Sequence, residues 1–171
     1  MIYFDHNATT AIDQRVLEAM LPFLHTFYGN ASSLYRLGRL ARSAIETARE
    51  QVASLVSVSP NQVIFTSGGT EANALGLHFP QCSQWIVSAI EHPSVMETVF
   101  QHQHQASIKT IPVNSEGIVE VAQMNELSLN SSTMVSIMLA NNETGCIQPV
   151  ADYAQNCRAF GAIVHTDAVH A

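Results

Sequence analysis

Short apolar runs rich in β-branched residues alternate along the chain with longer segments of helical period, and this alternation limits the possible folds more than any other feature. The runs are almost continuously apolar, as in strands that are covered on both faces. Five candidate strands follow from this pattern, at residues 62–66, 85–90, 108–113, 134–140 and 162–166. The pattern predicts an α/β fold, a three-layer αβα arrangement around a mainly parallel sheet.

Two of the predicted helices are marked clearly in the sequence. The longest spans residues 33–56, where apolar residues recur every three or four positions and arginines occupy the opposite face. Gly38 lies inside it and is expected to weaken it slightly. A second helix is predicted between Pro149, which fits the first helical position, and Gly161, which fits the position just after the end.

Net charge and composition indicate which classes of macromolecule the chain can bind. Seven basic against fourteen acidic residues give a formal net charge of -7, which would repel a phosphate backbone, so no nucleic-acid partner is expected. Charged residues make up 12% of the chain, about half of the roughly 25% that is typical. We therefore expect further protein to cover part of the surface.

The expected location is the cytoplasm. No apolar run approaches the roughly 18 residues of a membrane-spanning helix, and the first residues lack the pattern of a secretion signal. The three cysteines, Cys82, Cys146 and Cys157, show neither zinc-site nor dithiol spacing. In a reducing compartment they are expected to be thiols.

Polar residues follow four of the candidate strands, at the sheet edge where open α/β folds bind ligands. Residues 66–73 form a glycine-containing turn that leads into a helix, and the amides at such a helix start suit a phosphate. The other three polar positions are residues 91–94, residues 141–145 and Asp167. Pro93 fits the first turn of a helix and fixes the backbone beside a histidine.

Each of these features has an ordinary structural explanation. A Gly-Gly turn is usually only a turn, a His-Pro pair a helix entrance, an Asn-Asn pair a turn, and an aspartate after a strand a helix cap. Together they supply an anion-binding turn, a flat ring, an amide donor and a carboxylate. A pyridine phosphate cofactor requires this combination, because a carboxylate such as Asp167 keeps the ring nitrogen protonated and the ring able to accept electrons.

Six motifs occur in the order in which one enzyme family carries them. They are residues 3–10 (YFDHNATT), 28–33 (YGNASS), 65–71 (FTSGGTE), 91–93 (EHP), 140–149 (ANNETGCIQP) and 165–168 (HTDA). With these motifs the chain resembles the class V aminotransferase family, as represented by cysteine desulfurases of the NifS and IscS kind. The resemblance runs essentially from end to end.

The resemblance implies roles around pyridoxal 5'-phosphate (PLP). Gly69 and Thr70 are expected to bind the phosphate. His92 is expected to stack on the ring and to move protons as a catalytic residue. Asn142 is expected to contact the phenolic side of the ring, and Asp167 to pair with the ring nitrogen.

The chain departs from the family pattern at a few positions. His170 stands where the family usually has a glutamine that donates to the phenolate oxygen, and an imidazole can also donate there. Tyr35 replaces a usual histidine, and residues 73–74 differ in detail. We retain His170 as a cofactor-binding candidate.

The family resemblance also implies a domain assignment and an activity. Residues 1–12 are expected to associate with a small domain, and residues 13–171 to form the first part of the large domain of a PLP fold type I enzyme. The activity would convert L-cysteine to L-alanine and pass sulfur to an enzyme cysteine as a persulfide, for iron-sulfur cluster or other biosynthesis. A homodimer and a sulfur-acceptor or scaffold protein are the implied partners.

The family's cofactor lysine and catalytic cysteine are expected to lie beyond residue 171, so we interpret the chain as an amino-terminal portion. Its one lysine, Lys109, lies at the start of a candidate strand, away from the polar edge. The three cysteines are expected to be packing or surface thiols. By itself the chain is expected to bind PLP weakly and to be inactive.

Two other functions stay open. One is a non-catalytic remnant or interaction module with the same fold. The other is a different class V enzyme, such as a selenocysteine lyase or an aminotransferase, although residues 8–10 and 141–145 argue against it. No metal site is expected at His102 and His104, because side chains two apart on the helix predicted there point away from each other.

Overall fold

The computed structural model describes residues 2–78, 81–120, 122 and 127–171. It divides into two compact units, Met1–Phe65 and Thr66–Ala171. The first unit is helical, with α1 at Gln14–His25, α2 at Arg36–Leu55 and a 3-10 turn at Pro60–Gln62. The expected division after residue 12 stays a prediction.

Gly38 has a packing role in α2 that its low helix propensity does not predict. It is buried, and a Cβ atom there would lie 2.5 Å from the carbonyl oxygens of Asn30 and Ser33. Similarly, a Cβ atom on Gly29 would lie 2.4 Å from the carbonyl carbon of Leu37. Both glycines are needed because the backbone at residues 29–33 approaches the start of α2 too closely for a side chain.

The second unit contains a four-stranded parallel sheet. Its elements are α3 (Gly69–His78), β1 (Gln84–Ser88), α4 (Pro93–Phe100), β2 (Ser107–Ile111), β3 (Thr133–Ser136), α5 (Val150–Ala159) and β4 (Ile163–His165). The strand order is β2-β1-β3-β4, and the three neighbouring pairs described are parallel. The predicted α/β class with a parallel sheet is confirmed.

Helices cover both faces of this sheet. Trp85, Val87 and Met134 pack on one face against α3 and α4. Ile86 and Val135 lie on the other face, with buried side chains of α5. Because successive strand residues point to opposite faces, the continuous apolar runs bury both sides.

One predicted strand, at residues 62–66, is wrong. Residues 60–62 form the 3-10 turn, and residues 63–66 are in no strand or helix. Ile64 is 69% and Phe65 48% exposed. A strand requires a neighbour to receive its hydrogen bonds, and none of the four described strands pairs with this segment.

Smaller corrections concern element ends. The other four strands each end earlier than predicted, at Ser88, Ile111, Ser136 and His165. Pro149 caps α5 instead of occupying its first position, whereas Gly161 does follow the end, with φ +72°. His102 and His104 lie in the turn after α4, outside the helix predicted for them. No helix in the described part of the chain is long and apolar enough to cross a membrane.

Candidate functional site

Helix α3 begins with Gly69 and Thr70, so its free backbone N–H groups lie at the end of the small-residue turn. The Glu71 carboxylate accepts hydrogen bonds from the hydroxyl and the backbone N–H of Ser67, both at 2.6 Å, and these bonds lower the pKa of Glu71. A Cβ atom on Gly69 would lie 2.7 Å from Cγ2 of Val169. A glycine therefore lets the start of α3 approach the turn after β4.

His92 immediately precedes α4 and caps it with its ring. Nδ1 accepts a hydrogen bond from the backbone N–H of Ser94 at 3.1 Å and lies 2.8 Å from Ser94 Oγ. A ring nitrogen that accepts from a backbone N–H carries no hydrogen, so the neutral ring has its hydrogen on Nε2. Pro93 occupies the first turn of α4, as predicted.

Asp167 lies two residues after β4 and is only 7% exposed. Its Oδ1 accepts a hydrogen bond from the backbone N–H of Val169 at 3.0 Å. Its backbone carbonyl accepts from the N–H of Leu139 at 2.8 Å, which extends the pairing of β3 with β4 beyond both strands. Both the main chain and the carboxylate of Asp167 are thus held in place.

Asn73, on α3, links these two predicted site residues. Its Nδ2 donates to Asp167 Oδ2 at 2.8 Å and to Ser94 Oγ at 3.0 Å. The amide nitrogen has two hydrogens, so both are used. A continuous chain of hydrogen-bonded groups therefore runs from His92 through Ser94 and Asn73 to Asp167.

The loop after β3 is fixed to the loop after β1. Asn141 is buried, and its Nδ2 donates to the backbone carbonyl of Ile90 at 3.1 Å. Its Oδ1 accepts from the backbone N–H groups of Glu143 and Thr144 at 3.0 and 2.8 Å. This asparagine holds the turn that presents its neighbour, Asn142, which is partly exposed.

A second buried carboxylate, Glu91, ties β1 to β3. Its Oε1 accepts from Ser88 Oγ at 2.5 Å and from the backbone N–H of Met138 at 2.7 Å, and its Oε2 accepts from Ser136 Oγ at 3.2 Å. Burial raises the pKa of Glu91 against the opposite effect of these three donors, and the charge of Asp167 raises it further.

The structure thus joins two predicted site residues, His92 and Asp167, in one hydrogen-bonded chain, and places Gly69 against the turn after Asp167. The remaining predicted residues are neighbours of these anchored groups: Thr70 is exposed at the start of α3, and Asn142 and His170 are partly buried in turns. The cofactor roles of all these residues stay predictions.

The residues that organise the site are not among those predicted from the sequence. Asn73 is a position where the chain departs from the family pattern, and the sequence predicts no role for Ser94 or Glu91. A signal was present, since Gly69, Asn73 and Leu77 follow at intervals of four and share one face of α3. A polar residue on the apolar face of a helix needs a partner when it is buried.

The lysine and the cysteines lie outside the hydrogen-bonded chain described above. Lys109 is exposed in the middle of β2, an edge strand, and so not at its start as expected. Cys82, Cys146 and Cys157 are free thiols. Cys157 is buried in the core against the sheet, and burial raises the pKa of its thiol.

Comparisons with known proteins agree with this geometry. The family model described as aminotransferase class-V matches residues 2–171. A cysteine desulfurase of Sinorhizobium fredii is 39% identical over 99% of this chain and 46% of its own length. A solved NifS-like protein has a TM-score of 0.92 and 38% identity, over 98% of this chain and 48% of that one.

A third relative is a solved structure described as SspA in complex with cysteine. It is 29% identical, with a TM-score of 0.89, over 97% of this chain and 50% of that one. The chain spans about half the length of the relatives it matches. Its fold is that of NifS-like proteins of PLP fold type I, and by the match over residues 2–171 it belongs to the aminotransferase class-V family.

Proposed function

We propose that this chain forms part of the cofactor pocket of a PLP-dependent cysteine desulfurase. The observation that carries the proposal is the hydrogen-bonded chain from His92 to Asp167, at the carboxyl edge of a parallel sheet. Relatives named cysteine desulfurase at 39 and 40% identity support the reaction. The cysteine complex of SspA supports L-cysteine as the substrate.

The residues present fit PLP, the cofactor of this family. Asp167 is buried, yet both of its carboxylate oxygens have donors, from Asn73 and from the backbone of Val169. A buried carboxylate that is held in this way suits a partner with a protonated ring nitrogen. When bound, PLP supplies an electron sink for the electrons left when the substrate Cα loses its proton.

His92 is the residue we assign to proton movement. Its Nδ1 is already an acceptor for the Ser94 amide, so Nε2 is the atom that donates or accepts a proton at the site. Since Ser94 and Pro93 fix the ring at the start of α4, its orientation is set before any ligand binds.

The other predicted contacts keep their roles in this proposal. The first amides of α3, at Gly69 and Thr70, bind the phosphate. Asn142 contacts the phenolic side of the ring. His170 donates to the phenolate oxygen in place of the family's glutamine.

Several broader properties belong to the same proposal. The complete enzyme is a homodimer, located in the cytoplasm, that delivers sulfur to an acceptor or scaffold protein, with iron-sulfur cluster assembly as one destination. Residues outside these 171 supply the cofactor lysine and the persulfide cysteine. The position of Lys109 on the edge strand supports this, since it lies away from Asp167 in the sheet order.

Binding of PLP to the purified chain tests the pocket. We expect weak, reversible binding, measured by absorbance titration, and a loss of about tenfold or more in affinity for Asp167→Ala, because one charge-assisted contact contributes roughly 1.5–3 kcal/mol. Asp152→Ala, an exposed aspartate in the first turn of α5, is the control and should bind as the parent does. Equal PLP affinity of both variants would show that Asp167 does not contact PLP.

Activity is tested separately. Incubated with L-cysteine and PLP, the chain alone is expected to release no more sulfide than free PLP does. Protein-dependent sulfide from the chain alone would contradict the assignment of the lysine and cysteine to other residues.

A further inference from the structure

A row of polar side chains lies beneath Asp167, on the sheet face that carries α3 and α4. In the parallel register, Ser136 of β3 stands opposite His165 of β4. Ser136 is fully buried, and its Oγ lies 3.2 Å from Glu91 Oε2 and 2.9 Å from His165 Nδ1. The hydroxyl therefore bridges a buried carboxylate and an imidazole.

The hydroxyl of Ser136 has one hydrogen, so it can donate to only one of these neighbours at a time. When Glu91 is ionised, its Oε2 needs that hydrogen, and Nδ1 of His165 must then donate to Ser136 Oγ. When Glu91 is protonated on Oε2, it donates to Ser136, Ser136 donates to Nδ1, and the hydrogen of the neutral imidazole is on Nε2. The two arrangements use the same atoms and differ by one proton.

We propose that Glu91, Ser136 and His165 form a buried proton relay that sets the charge next to Asp167. A proton taken from solvent forms an N–H bond at Nε2 of His165. The Nδ1–H bond breaks as a new O–H bond forms on Ser136, and the original Ser136 O–H bond breaks as one forms on Glu91 Oε2. The net result is a neutral Glu91, an intact serine and a neutral histidine with its hydrogen on Nε2.

The charges around the relay favour such an exchange. Burial is the main cause that raises the pKa of Glu91 and the main cause that lowers the pKa of His165, so the neutral form of each group is favoured. The charge of Asp167 raises both pKa values. The other titratable groups at this sheet edge are His92, which follows Glu91 in the chain, Glu71 at the start of α3, and Glu143 and His170 in the turns after β3 and β4. Neutral Glu91 leaves Asp167 as the charged carboxylate of the pair.

Glu91, Ser136 and His165 are positioning residues, since they act through Asp167. Their use in catalysis rests on the proposed function. The relay itself requires no cofactor, so it can be tested on the chain without PLP. A failure of PLP binding with an intact relay would therefore count against the proposed function alone.

The test follows the ring nitrogens of His165 by ¹⁵N NMR of the full chain from about pH 5 to pH 9, the range around the ordinary histidine pKa. In the parent, the neutral ring should change from the Nε2–H form to the Nδ1–H form as pH rises and Glu91 ionises. In Glu91→Gln, the amide donates to Ser136 permanently, so His165 should keep the Nε2–H form at every pH.

Two serine variants complete the test. Ser136→Ala removes the bridge, and the tautomer of His165 should no longer follow the ionisation of Glu91. Ser88→Ala is the matched control, because Ser88 donates to Glu91 Oε1 outside the relay. It should keep the tautomer change and move its midpoint to higher pH, since the ionised carboxylate has lost a donor.

A single tautomer of His165 across the range in the parent would overturn the relay, and so would a tautomer change that persists in Glu91→Gln. Backbone amide spectra check that each variant is folded. If Glu91→Gln does not fold, the parent series and Ser136→Ala decide the question.

Discussion

Asn73 has both amide hydrogens committed, one to a carboxylate and one to a hydroxyl, in a buried position. The Ser94 hydroxyl accepts from Asn73 and lies next to Nδ1 of His92, so the amide acts on two functional groups at once. Removing it would leave Asp167 Oδ2 without this donor. A buried polar atom that loses its partner costs more than the hydrogen bond contributed when it formed.

We therefore expect Asn73→Ala to lower the free energy of unfolding by about 1.5–3 kcal/mol, the range for hydrogen bonds to charged groups. Urea denaturation measures this. Asn114→Ala is the control, because Asn114 accepts from two backbone amides in a loop outside the site. It should cost only about 1 kcal/mol. An equal loss of unfolding free energy in both variants would show that the hydrogen bond to Asp167 stabilises the fold no more than an ordinary one.

At the scale of elements, helix starts and glycine contacts decide how closely segments approach. Gly69 brings α3 against the turn after β4, and Gly38 brings α2 against residues 30–33. In each case the nearest atoms would overlap with a Cβ atom. Helix propensity alone would favour alanine at such positions by about 1 kcal/mol.

Gly38→Ala tests whether the steric overlap of a Cβ atom outweighs the higher helix propensity of alanine. We expect a net loss of stability, because a Cβ atom 2.5 Å from two carbonyl oxygens forces the backbone to move. Gly68→Ala is the matched control, since a Cβ atom there meets nothing within 4 Å. Thermal unfolding of both variants is the measurement, and a Gly38→Ala variant more stable than the parent would contradict the close approach.

A histidine also couples α4 to β1. His102, just after α4, stacks on Trp85 of β1 with ring centroids 5.0 Å apart and planes 13° apart. Burial lowers the pKa of His102, and His78 nearby lowers it further. Protonation is therefore less favourable in the folded state than in the unfolded one.

The contribution of neutral His102 to the free energy of unfolding should be fully present above the unfolded-state pKa of about 6.5. It should be lost as pH falls below that value. His102→Phe keeps a stacking ring and removes the titration. Between pH 7.5 and pH 5.5, the parent is expected to lose more free energy of unfolding than His102→Phe does, as measured by urea denaturation. Equal losses of unfolding free energy in both proteins would show that His102 does not cause the pH dependence.

At the scale of the whole molecule, the first unit leaves much apolar surface exposed. Helix α1 has no buried residue, and its Val16, Met20, Phe23 and Leu24 are all at least 43% exposed. An apolar face of this kind is typical of a surface that other protein covers. The low charged fraction, 12%, points the same way.

Leu24→Glu tests the exposed face. The chain is expected to bind a hydrophobic dye such as ANS, and the variant should bind it less while its free energy of unfolding changes little, because Leu24 is 67% exposed. Leu55→Glu, at the end of α2 and 83% exposed, is a control outside the α1 face. A large loss of stability in Leu24→Glu would show that this side chain is packed.

By itself the sequence determined the fold class, the order of four strands along the chain and the identity of the motif residues, because hydrophobic period and turn chemistry act locally. The tertiary structure decided what those residues touch. Asn73 meets Asp167 across 94 positions of sequence and Ser136 meets His165 across 29, and such distances leave no local pattern. The wrong strand at residues 62–66 has the same cause, since a strand exists only where a neighbour accepts its hydrogen bonds.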